Sequence, residues 1–254
     1  MNYKIIPPCE ELKEYISYFW VATWDEKLQK SNAIYYVIAN SLAEITFAFQ
    51  NNSRYAELLF SSVQGQTAVP TQFPVSDFYH LIGVSFYPHA IPKLFNIPAN
   101  KLYREFMSLD TFLGQEGSIL TEKMALAPSS EQRIAILSDF FKSLLPNRKY
   151  EDPQITRIIR YIKENKGTSK VIELAREVCL SPRQFKRRFA EFSGFNPKMY
   201  SRIIRFESVI KSYSQGPNLT ELAYANGYFD QAHLNHEFKA FTGFNPKHFW
   251  KLSE

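Results

Sequence analysis

A run of sequence that occurs twice constrains the C-terminal part of this chain more than any other feature. The first copy opens with Glu-Leu-Ala at 173–175 and closes with Gly-Phe-Asn-Pro at 194–197, and the same two runs return at 221–223 and 243–246. The copies are separated by 48 to 49 residues, and each has room for two short helices around a tight turn. The sequence therefore predicts a helical unit that is repeated within the chain.

The second helix of each copy has a clear start signal. Ser181 can act as N-cap, Pro182 takes the first helical position, and Gln184 completes a capping box. Asp230 takes the cap in the second copy. Apolar residues then recur at helical spacing, which predicts the faces that turn inward. These residues are Phe185, Phe189 and Phe192 in the first copy, and Leu234, Phe238 and Phe241 in the second.

The opposite faces of these two helices are predicted to point outward. A second helix that projects a polar ridge can enter the major groove of DNA, where Arg and Lys reach guanine edges and Asn pairs with adenine. One charged helix face is usually only a solvated surface, but two copies favour a DNA-reading role. The outward positions are Arg183, Lys186 and Arg187 in the first copy, and Ala232, Asn235 and His236 in the second.

These residues resemble the duplicated helix-turn-helix domain of AraC/XylS-type transcription regulators. The run Asp-Gln-Ala-His-Leu-Asn-His-Glu-Phe at 230–238 is similar to the family signature, as is the closing run at 243–246. The run Leu-Ser-Pro-Arg at 180–183 resembles the turn of the family's first unit, and the likeness extends over residues 152–252. A looser resemblance to one AraC-type branch lies at 83–90. The resemblance implies an all-α domain that inserts two recognition helices into successive major grooves.

Two positions depart from the family pattern. Cys179 stands where the first turn usually has Gly, so we expect strain in that turn, and His236 stands where an Arg is common. The second departure weakens the base contact expected from the second unit. Arg188, Arg202 and Lys239 are further candidates, for contacts with phosphates, which fix register without reading sequence.

Charge is divided unevenly along the chain. Residues 1–146 contain 11 Lys and Arg against 14 Asp and Glu, whereas residues 147–254 contain 19 against 11. Within the basic part, residues 147–211 carry 16 against 7 and residues 212–254 carry 3 against 4. We therefore predict that the C-terminal part binds a polyanion, and that the first unit supplies most of the attraction.

The N-terminal part is predicted to be an α+β domain, either a small β-barrel or a β-sheet with helices. Runs of β-branched and aromatic residues predict strands at 34–38, 44–49 and 80–86. Helical spacing at 109–126 and 130–145 predicts the helices that complete the domain. His80 and His89 and the many aromatic residues are interpreted as structural core rather than as a metal or ligand site.

Three regions follow from these patterns. Residues 1–146 are predicted to form a sensing or association domain, residues 147–152 a linker, and residues 153–254 the DNA-binding domain with two helix-turn-helix units. At 254 residues the chain is long enough for two cores. Cys9 and Cys179 are too few and too far apart for a zinc site or a disulfide framework, and we expect both to be small buried residues.

The sequence thus predicts a cytoplasmic transcription regulator that binds double-stranded DNA. No apolar run approaches the roughly 18 to 20 residues needed to cross a bilayer, and the N-terminus lacks the apolar core of a secretion signal. We expect no cofactor, metal or catalytic residue, and control by a small molecule or by association through the N-terminal domain. A homodimer partner and RNA polymerase are the further partners considered. The alternative is an enzyme or ligand-storage domain with a basic tail that binds nucleic acid without sequence specificity.

Overall fold

Two compact units make up the protein in the computed structural model, which describes residues 2–23, 33–51, 56–75, 80–145, 150–213 and 218–252. The sheet unit comprises Met1–Tyr35, Leu42–Gln66 and Phe73–Glu151. The helical unit comprises Tyr36–Ser41, Thr67–Gln72 and Asp152–Glu254. Half of the predicted linker at 147–152, residues 147–149, lies outside the described residues, and the predicted domain limits stay a prediction.

The sheet unit is built on six antiparallel strands in the order β1-β2-β7-β4-β5-β8, while β3 and β6 pair separately. Within the described residues the larger sheet ends at β1 and β8, so it is an open sheet with helices and not a closed barrel. The three predicted strands are confirmed as β3, β4 and β7. The strands are β1 Asn2–Ile6, β2 Ile16–Thr23, β3 Ala33–Val37, β4 Ala43–Phe49, β5 Leu58–Gln64, β6 Thr71–Val75, β7 His80–Phe86 and β8 Phe106–Ser108.

Four helices accompany this sheet: α1 Ala90–Phe95, α2 Leu109–Leu113, α3 Gln115–Leu126 and α4 Ser130–Leu144. The region 109–126, predicted as one helical stretch, is divided because Gly114 has a φ of 60°, a left-handed value that ends a helix. Phe86 packs edge-on against Phe141 of α4 at 5.0 Å between ring centroids. The helices therefore cover one face of the sheet with a continuous apolar core that includes Phe47 and Val84.

Seven helices form most of the helical unit: α5 Pro153–Glu164, α6 Val171–Glu177, α7 Pro182–Ser193, α8 Pro197–Ser212, α9 Leu219–Ala225, α10 Gln231–Thr242 and α11 Pro246–Lys251. Their limits follow from local signals. Asp152 caps α5 by accepting from the Ile155 amide at 3.1 Å, and Asn196 and Asn245 cap α8 and α11 in the same way. The six apolar residues predicted to turn inward on α7 and α10 are all buried.

Two short segments from the N-terminal half of the sequence belong to the helical unit. The Ala39 amide donates to the Phe241 carbonyl at the end of α10 at 2.9 Å, and the Ser41 amide donates to Glu207 of α8 at 2.7 Å. Tyr36 packs edge-on against Phe244 at 5.0 Å. These contacts place chain that follows β3 against the second repeated unit. None of the helices in the described ranges is long and apolar enough to span a membrane.

Candidate nucleic-acid interface

The repeated sequence folds into repeated local structure. α6 and α7 form the first helix-turn-helix unit and α9 and α10 the second, with α8 between them. Gly194 and Gly243 end the two recognition helices with φ values of 78° and 83°, which only glycine adopts without cost. The hydroxyls of Ser193 and Thr242 then accept from the amides two residues further on, at 3.1 and 3.0 Å. The Gly-Phe-Asn-Pro run is thus a helix stop followed by a helix start.

The start of each recognition helix is also as predicted. Ser181 and Gln184 make both hydrogen bonds of the capping box on α7. Asp230 accepts from the His233 amide at 2.7 Å and caps α10. These caps set the rotation of α7 and α10, because the inward and outward positions are counted from them.

The turns inside the two units differ at one residue. Cys179 has a φ of 53° and the equivalent Gly227 a φ of 73°. A Cβ added to Gly227 would lie 2.7 Å from Cγ2 of Thr168, so glycine is required there for space as well as for conformation. Cys179 is exposed and Cys9 is only half-buried, so the expectation of two buried cysteines is wrong. In this turn the Cys179 side chain points to solvent. Its backbone has a left-handed conformation that is unfavourable for a residue other than glycine, so the expected strain is observed.

The outward face of α7 presents three cations. Arg183, Lys186 and Arg187 are all exposed. Arg187 has one weak neighbour, Glu191, at 4.0 Å, and its side chain is 73 % exposed. These positions lie three and four residues apart, so their side chains share one side of the helix and are available to a ligand outside it.

The outward face of α10 is different in character. Ala232 and His236 are exposed, whereas Asn235 is half-buried. The Asn235 side-chain oxygen is buried, and none of the described residues hydrogen-bonds to it. Lys239, one turn further along, is exposed. The second face therefore offers one lysine and polar groups where the first offers three cations.

Arg188 and Arg202, predicted to contact phosphates, both have carboxylate partners within the helical unit. Arg188 on α7 donates to the Asp152 carboxylate with Nε at 2.8 Å and Nη2 at 2.6 Å. Arg202 on α8 donates from Nε to Glu237 at 2.7 Å. Each pair ties a recognition helix to the helix that precedes its unit. The phosphate contacts of these two arginines stay predictions.

Sequence reasoning missed Glu237 as a structural centre. Its carboxylate, 3 % exposed, also accepts from Arg205 at 3.5 Å and from the Tyr228 hydroxyl at 3.0 Å. Burial, and then the nearby Glu237 charge, raises the pKa of Tyr228, so Tyr228 remains a proton donor to that carboxylate. The signal was available, because position 237 follows Leu234 by three residues and so falls on the inward stripe of α10.

The described residues contain no group of three or more His, Cys, Asp or Glu side chains placed to hold a metal. His80 and His89 are buried and hydrogen-bonded within the sheet unit. His80 meets the hydroxyls of Thr23 and Ser130 at 2.9 and 3.0 Å, and His89 meets the Glu14 carbonyl at 3.0 Å. Their role is therefore structural.

Two known families match separate parts of the chain, one in its N-terminal part and one in its C-terminal part. Residues 174–251 match the family described as a helix-turn-helix domain, and residues 4–108 match a domain of unknown function, DUF6597. No curated protein matches the chain. The match at 174–251 confirms the family resemblance drawn from the two repeated units.

The chain is similar to solved structures over most of its length and over its C-terminal part. ToxT from Vibrio cholerae strain SCE256, in its unsaturated fatty acid bound form, matches with a TM-score of 0.51 at 13 % identity, over 91 % of this chain and 94 % of that one. The C-terminal domain of AraT, a response regulator from Geobacillus stearothermophilus, is 20 % identical over 41 % of this chain and 88 % of that one, with a TM-score of 0.38. The first likeness confirms the predicted fold class, a sheet-rich N-terminal part with helices and a helical C-terminal part.

Proposed function

We propose that this chain, which carries an AraC-type helix-turn-helix domain at its C-terminus, is a transcription regulator that reads a specific DNA site with both of its units. The observation that carries the proposal is the exposed face of Arg183, Lys186 and Arg187 on α7. Such a face, on a scaffold that repeats at α10 with different outward residues, suits base-edge readout in the major groove. The ion pairs of Arg188 and Arg202 hold the two recognition helices in place behind that readout.

The length and burial of α8 support simultaneous docking. This helix contains 16 residues, which corresponds to about 24 Å. Ile203, Phe206 and Val209 of α8 are fully buried, and Phe206 contacts Phe238 of the second unit at 5.4 Å between centroids. A packed helix between two units keeps their separation constant, and we expect them to enter adjacent major grooves about 34 Å apart on one face of the duplex.

Altered spacing within a site tests this arrangement. A duplex selected from a random pool by the full-length protein would be remade with about 5 or about 10 base pairs inserted between its half-sites. Because α8 holds one separation, both insertions should weaken binding to the level of a single unit. Unchanged affinity after the shorter insertion would mean that only one unit docks. Recovery with the longer insertion would mean that the units are joined flexibly.

A DNA footprint at fixed salt distinguishes a sequence-specific regulator from the alternative, an enzyme or storage domain with a basic tail. A discrete protected site supports a regulator, whereas uniform and salt-sensitive coverage supports a basic tail attached to an enzyme or storage domain. Three exposed cations share one face of α7, which favours the discrete site.

We also propose that the sheet unit, predicted as residues 1–146, controls the DNA-binding domain in response to a small molecule. One solved structure of similar fold, ToxT, is bound to an unsaturated fatty acid. In this chain an open groove of about 860 Å³ lies between β1 and the start of α4, which exceeds the roughly 300 Å³ of small ligand sites. The contacts of Ala39 and Ser41 with α10 and α8 offer a route to the second unit. Homodimerisation and RNA polymerase contact remain predictions.

A further inference from the structure

The main sheet has a second face whose side chains are unlike those of its apolar core. Residues directly opposite each other in an antiparallel sheet project to the same side. Trp20 of β2 lies opposite Gly83 of β7, and Gly83 lies opposite Thr46 of β4. One register step away, Ser85 of β7 lies opposite Glu44 of β4. We call this surface the polar face, defined by Trp20, Gly83, Ser85, Glu44, Thr46, Tyr18, Ser62 and Gln64.

Glu44 lies at the centre of the polar face. The Ser85 hydroxyl donates to one of its carboxylate oxygens at 2.7 Å, and among the described residues Glu44 has no Lys, Arg or His partner. Burial raises the pKa of the Glu44 carboxyl, against a smaller lowering by the Ser85 hydrogen bond. A carboxylate has room for several hydrogen bonds, so Glu44 retains acceptor capacity in the middle of a sheet.

Trp20 adds an unused donor beside this carboxylate. The residue is only 4 % exposed, and its indole Nε1 has no hydrogen-bond partner in the described part of the chain. A Cβ built on Gly83 would lie 2.8 Å from that Nε1 and 2.4 Å from two ring carbons. The indole therefore lies across the bare backbone of β7, with its N–H extended from β2 towards the centre of the sheet.

The open groove near β1 is a weaker candidate for a specific ligand. Both ring nitrogens of His80, which lines the groove, already have hydroxyl partners. Burial, and then the Arg133 charge, lowers the pKa of His80 to about 4, so His80 is neutral at ordinary pH. Lys4 and Glu131 line the same groove with opposite charges. Among the described residues the polar face has an unpartnered donor, the Trp20 Nε1, and a carboxylate without a cation partner, whereas the groove has satisfied or mutually compensating groups.

We infer that the polar face is the effector site of this regulator, and that it takes a small organic cation whose ammonium group binds the Glu44 carboxylate. The inference rests on the proposed small-molecule control by the sheet unit; it specifies the ligand class, and it places the effector on the polar face rather than in the open groove near β1. The Trp20 ring would contact the body of the ligand, and its N–H would donate to an acceptor on that body. Tyr18 and Gln64, both half-buried, border the site on either side.

Charge compensation favours a cation over the other ligand classes. A carboxylate withdrawn from water is costly unless a positive group and hydrogen bonds replace its hydration. A neutral polyol supplies hydrogen bonds without the opposite charge, and an anion adds repulsion. The face of an indole also attracts ammonium ions through its negative quadrupole. Glu44 and Trp20 therefore discriminate ligands mainly by their charge and less by their shape.

The test uses the full-length protein and two series of three probes, each series with one carbon skeleton. The first series is benzylammonium, benzyl alcohol and benzoate, and the second is butylammonium, butanol and butyrate. Calorimetric titration and melting temperature would be measured for wild type, Glu44→Gln and a matched control, Glu57→Gln. Glu57 is exposed and precedes β5 in the same unit. We expect an ammonium probe to bind wild type and Glu57→Gln, and to bind Glu44→Gln at least about tenfold more weakly.

A second measurement needs no ligand. Because burial disfavours ionisation of the Glu44 carboxyl and Glu44→Gln removes that cost but keeps an acceptor for Ser85, we expect the substitution to raise the melting temperature of the ligand-free protein by a few degrees. Equal binding of the ammonium probes to wild type and Glu44→Gln, or no binding of either ammonium probe, would overturn the inference. Tighter binding of the alcohols or carboxylates would also overturn it.

Failure here is distinguishable from failure of the proposed function. Glu44→Gln should still bind the selected DNA site and should still lose affinity when base pairs are inserted within it. If that behaviour persists while the ammonium probes do not bind, only the ligand class and site are wrong. If the wild-type protein shows no discrete DNA site, the proposed regulator itself is wrong.

Discussion

The two helix-turn-helix units share their backbone signals and differ in the side chains of their outward faces. Their stops at Gly194 and Gly243, with the hydroxyl turns that follow, are nearly identical. Their outward faces are not, because three cations on α7 correspond to alanine, asparagine and histidine on α10. The comparison shows that backbone-setting residues were kept in both copies while the residues that meet a ligand diverged.

The ion pairs that hold α7 and α10 differ in which partner carries which charge: α7 supplies an arginine and α10 supplies a carboxylate. Arg188 on α7 and Glu237 on α10 are 49 residues apart and occupy equivalent positions, both on the residue before a buried phenylalanine. Arg188 pairs with Asp152 at the start of α5, whereas Glu237 pairs with Arg202 and Arg205 of α8. In both units an ion pair thus joins the second helix to the helix before the unit, but the charges are exchanged. The carboxylate of the second unit is more buried than the arginine of the first.

Glu237→Ala is expected to have the largest effect, a loss of about 2 to 3 kcal/mol in the free energy of unfolding. The change removes the shared acceptor of two arginines and of the buried Tyr228 hydroxyl. We place the loss below the full cost of breaking a buried pair, because Arg202 and Arg205 are 30 % and 16 % exposed and regain some solvation. Urea unfolding of the full chain followed by far-ultraviolet circular dichroism would measure it.

Arg188→Ala is the matched change in the first unit. Its side chain is 32 % exposed, and solvent screens a pair of this kind, so we expect a loss of about 1 kcal/mol or less. A larger loss from Arg188→Ala than from Glu237→Ala would reverse the comparison and place the more important connection in the first unit.

Arg187→Ala should cost about 1 to 3 kcal/mol in DNA binding and relax specificity at one base position, since a good bidentate contact is worth that much. Arg187 is open to solvent with one weak neighbour, so the loss of affinity should come without a loss of stability. Dissociation constants on the selected duplex and on single-base variants would measure both effects. Uniform weakening on all duplexes would instead make Arg187 a phosphate contact.

Local signals explain why so much of the helical unit could be predicted. Ser181, Asp230 and Asp152 act on amides three residues away, and such caps can be recognised in a short window of sequence. The Glu237 network could not be predicted in the same way, because Arg202 and Arg205 come from a different helix. Partners across a fold depend on packing, which spacing within one helix does not report.

The sheet unit shows the same limit more strongly. The central strands β4 and β7 were predicted because β-branched and aromatic residues recur along them, as in Ile45, Phe47 and Phe49 of β4. β5, with the run Ser61-Ser62 in its middle, and β8, with three residues, were not. Their pairing comes from neighbours distant in sequence. Glu44 was within a predicted strand, yet its position on the same face as Ser85 and Trp20 became visible only when β2, β7 and β4 were placed in register.

Cys179→Gly should stabilise the protein by about 0.5 to 1 kcal/mol. A left-handed conformation costs a non-glycine residue about 1 to 2 kcal/mol, and the extra backbone freedom of glycine in the unfolded chain cancels part of the gain. Gly227→Ala is the converse change and should destabilise, since its new Cβ would also meet Thr168. Cys179→Ala separates the thiol from the backbone effect, and a gain equal to that of Cys179→Gly would show that the turn is not strained.

His236→Ala is expected to have the smallest effect, a loss below about 0.5 kcal/mol in DNA binding, because the change removes no permanent cation from an exposed position. The converse substitution, His236→Arg, should strengthen binding and steepen its salt dependence by about one counterion if the new guanidinium reaches a phosphate. Both variants would be measured with Arg187→Ala on the same duplex at fixed pH and several salt concentrations. Because residues 147–211 carry all the excess positive charge of the C-terminal part and residues 212–254 are slightly acidic, we expect the first unit to hold the protein on DNA and the second to refine the choice of site. A loss from His236→Ala that exceeded the loss from Arg187→Ala would show that the second unit is the anchor.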